Sequence, residues 1–327
     1  RFHDYRAFLA EEAAYAPVAA LAARLLDGQP PDAADRRLLE DLLGDVSGLA
    51  PSQLIDRLID RHGTGRVLFR NTRQAIKGFP RRHLNTYELP PPRDYRLLAA
   101  ELQPESAYGD GWTMIDPRVD CLRGILERLA PQKVLVICAH AETVKALRSH
   151  LLDRFAIHAA MFHEDMEIVA RDRAAAFFAD PDEGSQVLIC SEIGSEGRNF
   201  QFAHHLVLFD LPLQPDLLEQ RIGRLDRIGQ RTTIELHVPY LRDSAGEVLM
   251  RWYRDGLQSF EAVCPAASAV FDRLNEALLA ALSDVGSIDR LVGDAEAMTA
   301  RMNADLEAGR DRLLELHSHR PERASAL

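Results

Sequence analysis

The chain has little cysteine and no long hydrophobic run. Its four cysteines are widely spaced and form no C-x-x-C pair, so the sequence predicts neither a disulfide framework nor a metal cluster. Its histidines are scattered, and we predict no metal site among them. The longest apolar stretches, such as residues 133–138, have the length of a strand and fall far short of a bilayer span. No charged-then-apolar leader opens the sequence, so we expect a protein of the reducing cytoplasm.

Basic residues are outnumbered by acidic ones, and the formal net charge is −11. This balance argues against a surface that binds nucleic acid everywhere. One segment is nevertheless basic, with a single acid, Asp60, among its cations. These cations are Arg57, Arg61, Arg66, Arg70, Arg73, Lys77, Arg81 and Arg82. The segment is either a phosphate contact or a solvated helix face, and charge alone does not choose between them.

The hydrophobic pattern divides the chain into three parts. Residues 2–62 have helical spacing of apolar residues, and a proline-rich stretch at 89–93 is followed by weak patterning to Trp112. We therefore predict a helical linking segment over 1–112. Strands alternate with helices over 113–240, and helical spacing returns over 241–327. The apolar stripe of a long helix at 287–316 is predicted to pack on a neighbouring domain.

The central part predicts an α/β fold with a parallel sheet. The predicted strands cover residues 133–138, 157–162, 187–190, 205–209 and 234–238. The predicted helices between them cover residues 141–152, 166–178 and 215–228, the last with Pro215 in its first turn and Gly229 as its stop. Because the strands are apolar throughout, we expect helices on both faces of the sheet.

Two segments follow strands of this sheet, where such folds bind ligands. In SEIGSEGRNF (191–200), Gly194 and Gly197 let a phosphate or sugar come close, although two glycines in a loop are often only a turn. The segment QRIGRLDRIGQ (220–230) is more specific. On a helix, Gln220, Arg224 and Arg227 share one face.

Two guanidinium groups one turn apart repel unless they share an anion, and a triphosphate would supply it. Gly223 in mid-helix costs about 1 kcal/mol relative to alanine, which predicts a close approach at that point. The alternative is a salt-bridged helix, in which Glu219 and Asp226 neutralise the arginines.

These segments resemble the conserved motifs of superfamily 2 helicase-like ATPases of the Swi/Snf branch. QRIGRLDRIGQ resembles motif VI, SEIGSEGRNF resembles motif V, and KVLVICAHAETVKALRSHL (133–151) resembles motif IV. The order and spacing of the motifs match over residues 130–240. The sequences of the flanking segments resemble those of bacterial members associated with RNA polymerase, and this resemblance extends over nearly the whole chain. The segment 89–112 looks shorter than these members would predict.

The resemblance implies a RecA-like second ATPase lobe. Arg224 and Arg227 would be arginine fingers for ATP, and Gln220 would belong to the same network. Gly197 and Asn199 would lie near the ribose, whereas Ser191 and His140 would face the nucleic-acid backbone.

The same resemblance implies partners and a role. The partners are the first lobe, core RNA polymerase, and duplex DNA or RNA, and the implied role is release of stalled polymerase in a bacterial, nucleoid-associated setting. The alternatives are a polymerase-docking module with secondary ATP use and a DNA remodelling or repair translocase.

The parts needed to hold ATP and magnesium are missing from the sequence. It contains neither a G-x-x-x-x-G-K-[ST] phosphate loop nor a D-E-x-H motif. In the family both belong to the first lobe, which also supplies the Mg²⁺ ligands. We therefore expect this chain to look like an excised part of a longer ATPase and to be inactive alone.

Overall fold

The computed structural model describes residues 80–192, 200, 202–226, 230 and 232–318, with a few isolated positions before residue 41. Of the helix Ile288–Ser318, side chains are described as far as Asp305. Several predictions concern other residues. These are most of the helices at 2–62, the basic segment as far as Lys77, and the site residues Gly197, Asn199 and Arg227, all of which lie outside the described part.

The fold is a parallel six-stranded sheet with helices on both faces, which confirms the predicted α/β class. In spatial order β1-β6-β5-β2-β4-β3, neighbouring strands are hydrogen-bonded. The strands are β1 Arg82–Leu89, β2 Val134–Cys138, β3 Ala159–Phe162, β4 Val187–Ser191, β5 His205–Leu208 and β6 Ile234–Leu241.

The strand β1 was not predicted. It lies in the segment expected to be a helical link, yet it pairs with β6 along its whole length, from Arg82 opposite Ile234 to Leu89 opposite Leu241. It is an edge strand of mostly polar residues, and none of its side chains but that of Arg82 is fully buried. An edge strand can remain partly solvated, so its hydrophobic signal is weak.

Alternate residues of the central strands enter two separate cores. Val134, Val136 and Cys138 of β2 join one apolar cluster, whereas Leu135 and Ile137 join the other. This alternation follows from the two-residue period of a strand, and burial on both sides explains why the strands are apolar throughout.

Helices cover both faces and extend the fold at its carboxyl end. They are α1 Pro104–Tyr108, α2 Pro117–Leu129, α3 Ala141–Phe155, α4 Ile168–Ala179, α5 Pro215–Ile222, α6 Ala245–Arg251, α7 Ala267–Ser283 and α8 Ile288–Ser318. A π-helical turn, Trp252–Gly256, follows α6 directly. Short 3-10 turns occupy Arg93–Leu98, Trp112–Met114 and Val285–Ser287.

The carboxyl-terminal helices share one core with the sheet. Buried residues of α6, α7 and α8 belong to the same apolar cluster as Leu135 and Ile137 of β2. The stripe on α8, predicted to pack on a neighbouring domain, packs on the π-helical turn and on α7 of this chain. The packing is close: a Cβ atom at Gly256 would lie 2.9 Å from the Cβ of Ala295. In the described part of the chain, no helix is both long and apolar enough to span a membrane.

Candidate functional site at the strand ends

The helix that carries Gln220 is shorter than predicted. It begins at Pro215, as expected, but ends at Ile222, and Gly223 is its carboxyl cap with an ordinary φ of −59°. Residues 223–225 form a tight turn, in which the amide of Arg224 donates to the carbonyl of Arg221 at 3.2 Å. The prediction of an unbroken helix over 215–228, with one arginine face, is therefore wrong for the described residues 223–226.

Among the described residues, the close contacts at Gly223 come from its own helix. A Cβ atom there would meet the carbonyl oxygens of Glu219 at 3.1 Å and Gln220 at 3.4 Å, both in the preceding turn of the same helix. No other described atom lies within 4 Å. The glycine therefore ends the helix, and no other described element packs against it.

Arg224 is buried beside the sheet, and Gln220 is half-buried. Burial raises the pKa of the Cys190 thiol near the end of β4, and the positive charge of Arg224 opposes this shift. Arg224 therefore lies close enough to β4 to act on it electrostatically. Arg227 is outside the described residues.

Arg221, to which the sequence assigned no role, anchors this segment. Its guanidinium is 1% exposed and donates to the carbonyl of Asp210 at 2.6 Å, to Asp210 Oδ1 at 3.0 Å and to Glu192 Oε2 at 2.8 Å. Burial alone would lower the pKa of Arg221, but Asp210 and Glu192 raise it above its ordinary value. The arginine thus stays charged and ties α5 to the loops after β5 and β4.

The loop after β2 joins the same cluster. Asp210 Oδ2 accepts a hydrogen bond from the amide of Ala139 at 2.7 Å. His140 follows, exposed at the amino cap of α3, and its side chain makes no capping hydrogen bond. We call Arg221, Asp210, Glu192 and Ala139 the carboxyl-end cluster, because it joins the loops that follow three neighbouring strands.

Ser191 lies at the same edge of the sheet but faces inward. It is the last residue of β4 and pairs in register with Cys138 of β2. Its side chain is fully buried, and its hydroxyl donates to Glu164 Oε2 at 2.5 Å. Ser191 and His140 are therefore brought to one edge, with only His140 open to solvent.

Arg82 contacts both carboxylates that the salt-bridge alternative assigned to Arg224 and Arg227. Its guanidinium donates to Glu219 through two nitrogens, at 2.9 and 2.6 Å, and its Nε donates to Asp226. The Arg82 side chain is 2% exposed, so it lies on neither a phosphate-binding surface nor a solvated helix face. Both interpretations of the basic segment are wrong at this position.

A second polar cluster lies near the amino ends of β5 and β6. Arg128 Nη2 lies 2.9 Å from the hydroxyl of Tyr87, which lies 2.9 Å from Nδ1 of His237. The Nε2 of His237 lies 3.1 Å from Nδ1 of His205, and Nε2 of His205 lies 2.9 Å from Oε1 of Gln132. We call these five residues the amino-end chain. They line a cavity of about 540 Å³.

The hydrogen bonds of the amino-end chain all point in one direction, from Tyr87 towards Gln132. Because Gln132 Oε1 can only accept, His205 donates to it and accepts from His237, which in turn accepts from Tyr87. Both imidazoles are neutral in this arrangement. Burial lowers the pKa of each histidine to about 4.

The described residues fit one side of a nucleotide site. Arg224 and Gln220 offer donors for phosphate oxygens, but no loop among the described residues encloses a triphosphate. In the described part, no group of three or more His, Cys, Asp or Glu side chains could hold a metal ion.

Comparison with known proteins identifies two regions of the chain. Residues 117–229 match the family of the helicase conserved C-terminal domain, and residues 233–327 match the RNA polymerase recycling family C-terminal region.

The curated relatives are similar over nearly the whole chain. The RNA polymerase-associated protein RapA of Pseudomonas putida is 53% identical over 343 residues, which cover 97% of this chain and 36% of the relative. RapA of Klebsiella pneumoniae is 48% identical over 368 residues, covering 100% of this chain and 38% of the relative. The chain thus spans little more than a third of the length of these relatives.

Solved structures are more distantly similar. The Sulfolobus solfataricus SWI2/SNF2 ATPase core in complex with dsDNA has a TM-score of 0.41 at 15% identity, covering 79% of this chain and 46% of that one. The C-terminal part of the Fun30 ATPase domain has a TM-score of 0.39 at 20% identity, covering 56% of this chain and 60% of that one. The fold assignment rests on the sheet itself.

Proposed function

We propose that this chain is the second motor lobe of an ATP-dependent nucleic-acid translocase of the Swi/Snf type that acts on RNA polymerase. The observation that best supports the proposal is the carboxyl-end cluster. Arg221 ties the segment that carries Gln220 and Arg224 to the loops after β4 and β5, where a parallel sheet binds its ligands.

In this proposal Arg224 and Arg227 reach the triphosphate of ATP, and Gln220 belongs to the same network. Gly197 and Asn199 lie near the ribose. Guanidinium groups stabilise the charge that spreads over the phosphoryl group during transfer, worth roughly 10³–10⁵ in rate. ATP bound with Mg²⁺ supplies the phosphoryl group, and the first lobe holds the metal.

The nucleic-acid track is proposed to run along the ends of β2 and β4. His140 is exposed there, so it can meet a backbone phosphate without rearrangement. Ser191 is buried against Glu164, so a phosphate contact by its hydroxyl requires exchange of that hydrogen bond.

The polymerase partner is proposed from the relatives. Those named above are RNA polymerase-associated proteins, and residues 233–327 match a family named for polymerase recycling. We infer that the complete protein releases or recycles stalled core polymerase in the bacterial cytoplasm. We also propose that this chain alone does not hydrolyse ATP, since it has no phosphate loop.

The test is ATP hydrolysis by the complete protein, first lobe included, with and without duplex DNA. We expect Arg227→Ala and Arg224→Ala each to lower the turnover rate at least 100-fold. This threshold is set below the roughly 10³-fold rate contribution at the low end for an arginine finger. Arg251→Ala is the control, because this arginine pairs with Asp289 on α8. Equal turnover by wild type and both finger variants would mean that these arginines are structural.

The match at 233–327 also supports a second candidate, a polymerase-docking module with secondary use of ATP. Excising residues 241–327 is a poor test, because their helices share a core with the sheet. The complete Arg227→Ala protein is better. Polymerase recycling that persists without ATP turnover would favour docking, whereas failure of the wild type to co-purify with core polymerase would favour a DNA remodelling or repair translocase.

A further inference from the structure

Arg82 joins the edge strand of the sheet to both ends of the segment that carries the proposed finger Arg224. It is the first residue of β1, more than a hundred positions before that segment in sequence. Its Nη atoms bind the carboxylate of Glu219 on α5, and its Nε binds Asp226 just after the turn. Arg224 lies between these two anchors.

Between the anchors, Arg221 is bound to Asp210 and Glu192, and in the described structure the backbone amides of the turn donate only to carbonyls of nearby residues. After α5 ends at Ile222, the amides of Leu225 and Asp226 both donate to the carbonyl of Ile222 at 3.1 Å. A single irregular turn thus carries Arg224, and Arg227 follows Asp226 directly in sequence. A planar guanidinium that engages two carboxylates restricts this turn more tightly than a lysine ammonium could.

We propose that Arg82 is a positioning residue for the proposed finger Arg224: it holds the turn at 223–226 so that Arg224 meets the triphosphate. This inference rests on the proposed function. It makes the geometry of the site depend on the register of β1 against β6, in which Arg82 lies opposite Ile234.

The test is Arg82→Lys in the complete protein, which keeps the charge and removes the fork. We expect kcat for ATP to fall about 10- to 100-fold, since misplacement of a catalytic group by about 1 Å costs about 10²-fold. The KM is expected to change less than about twofold, because the variant leaves ground-state binding intact. Arg251→Lys, which alters an ion pair on the carboxyl-terminal helices, is the matched control and should leave kcat unchanged.

Hydrogen exchange without nucleotide gives a second readout. Peptides covering 217–230 should exchange at least about fivefold faster in Arg82→Lys than in wild type, with peptides from α8 unchanged. Unchanged exchange at 217–230 would overturn the proposal. If Arg82→Lys does not fold, Asp226→Asn replaces it, because this change keeps the side-chain shape and removes the carboxylate charge that binds Arg82. Unchanged kcat and exchange in that variant would overturn the proposal equally.

Combining Arg82→Lys with a finger variant tests whether Arg82 acts through the finger. In Arg224→Ala protein, adding Arg82→Lys should lower kcat less than about twofold further, because residues that act as a unit are not additive. An equal loss in both backgrounds would show an independent structural role. If the finger variants themselves retain full turnover, the proposed function fails; if they lose turnover while Arg82→Lys does not, only the positioning role fails.

Discussion

The two polar clusters of the sheet use opposite kinds of chemistry. The carboxyl-end cluster is made of full charges, with the guanidinium of Arg221 between Asp210 and Glu192. The amino-end chain buries two neutral imidazoles in a line of donors that starts at Arg128. Both lie against the same strands, so burial alone does not explain the difference.

What differs is the partner of each buried group. Carboxylates keep the pKa of Arg221 above its ordinary value despite burial, so its charge persists at every physiological pH. His205 and His237 face each other, and burial lowers the pKa of both. The stability of the charged cluster therefore changes little with pH, but it falls steeply when one partner is removed. The stability of the neutral hydrogen-bonded residues changes less when one partner is removed, but it falls at acidic pH because the histidines become protonated.

The largest effect is expected at the carboxyl-end cluster. Arg221→Gln leaves the buried Asp210 and the partly exposed Glu192 without their cation, and loss of one partner of a buried ion pair costs about 3–5 kcal/mol. Urea unfolding of the complete protein measures it. Arg123→Gln, which alters an ion pair on the surface of α2, is the control and should cost less than about 1 kcal/mol. A cost below about 1 kcal/mol for Arg221→Gln would mean that water replaces the cation and that the cluster is not rigid.

An intermediate loss of folding stability is expected at the amino-end chain when the pH is lowered. The pKa of His205 and His237 is about 4 in the folded protein, whereas the ordinary value for histidine is 6.5, so the unfolded chain binds more protons between these two values. Stability is therefore fully present above pH 6.5 and falls as the pH drops towards 4, by roughly 3 kcal/mol for the coupled pair.

Thermal unfolding from pH 4 to 7 measures this loss. Other charges face the pair: Glu235 favours protonation of both histidines, His204 opposes it at His205, and Arg128 opposes it at His237. His237→Gln should flatten the slope between pH 4 and 6.5, while the exposed His158→Gln should leave it unchanged. An equal slope in His237→Gln and wild type would place the titrating groups elsewhere.

The smallest effect is expected from Tyr87→Phe. This change removes the hydroxyl that donates to His237, which leaves one acceptor without its partner at a cost of about 1 kcal/mol. Unfolding at pH 7 measures the loss. A cost as large as that of Arg221→Gln would contradict the contrast between the two clusters.

Most of the sheet was predictable because its central strands are buried on both faces. Residues 134–138 and 187–190 are apolar without interruption, which only a doubly covered strand requires. The predicted strands at 133–138 and 187–190 differ from the observed bounds by one residue at one end. The edge strand β1 was missed because half-solvated side chains such as Asn85 and Glu88 carry no such pattern.

The sequence predicted which segments contribute to the candidate site, but it did not predict how their side chains are arranged. The residues of QRIGRLDRIGQ indicated where phosphate chemistry belongs, and Arg224 lies beside β4. The end of α5 was misplaced, since a turn held by tertiary ion pairs has the same local spacing as one more turn of helix. Arg221 was overlooked because nothing local distinguishes it from Arg224.

The sequence by itself determined the α/β alternation, the order of the motifs and the resemblance to a helicase-like family, because periodicity and motif spacing are local properties. Only the tertiary structure decided which arginine anchors, which one lies beside β4, and which joins β1 to the turn at 223–226. Those roles depend on carboxylates far away in sequence. A guanidinium is chemically the same everywhere until the fold decides which acids surround it.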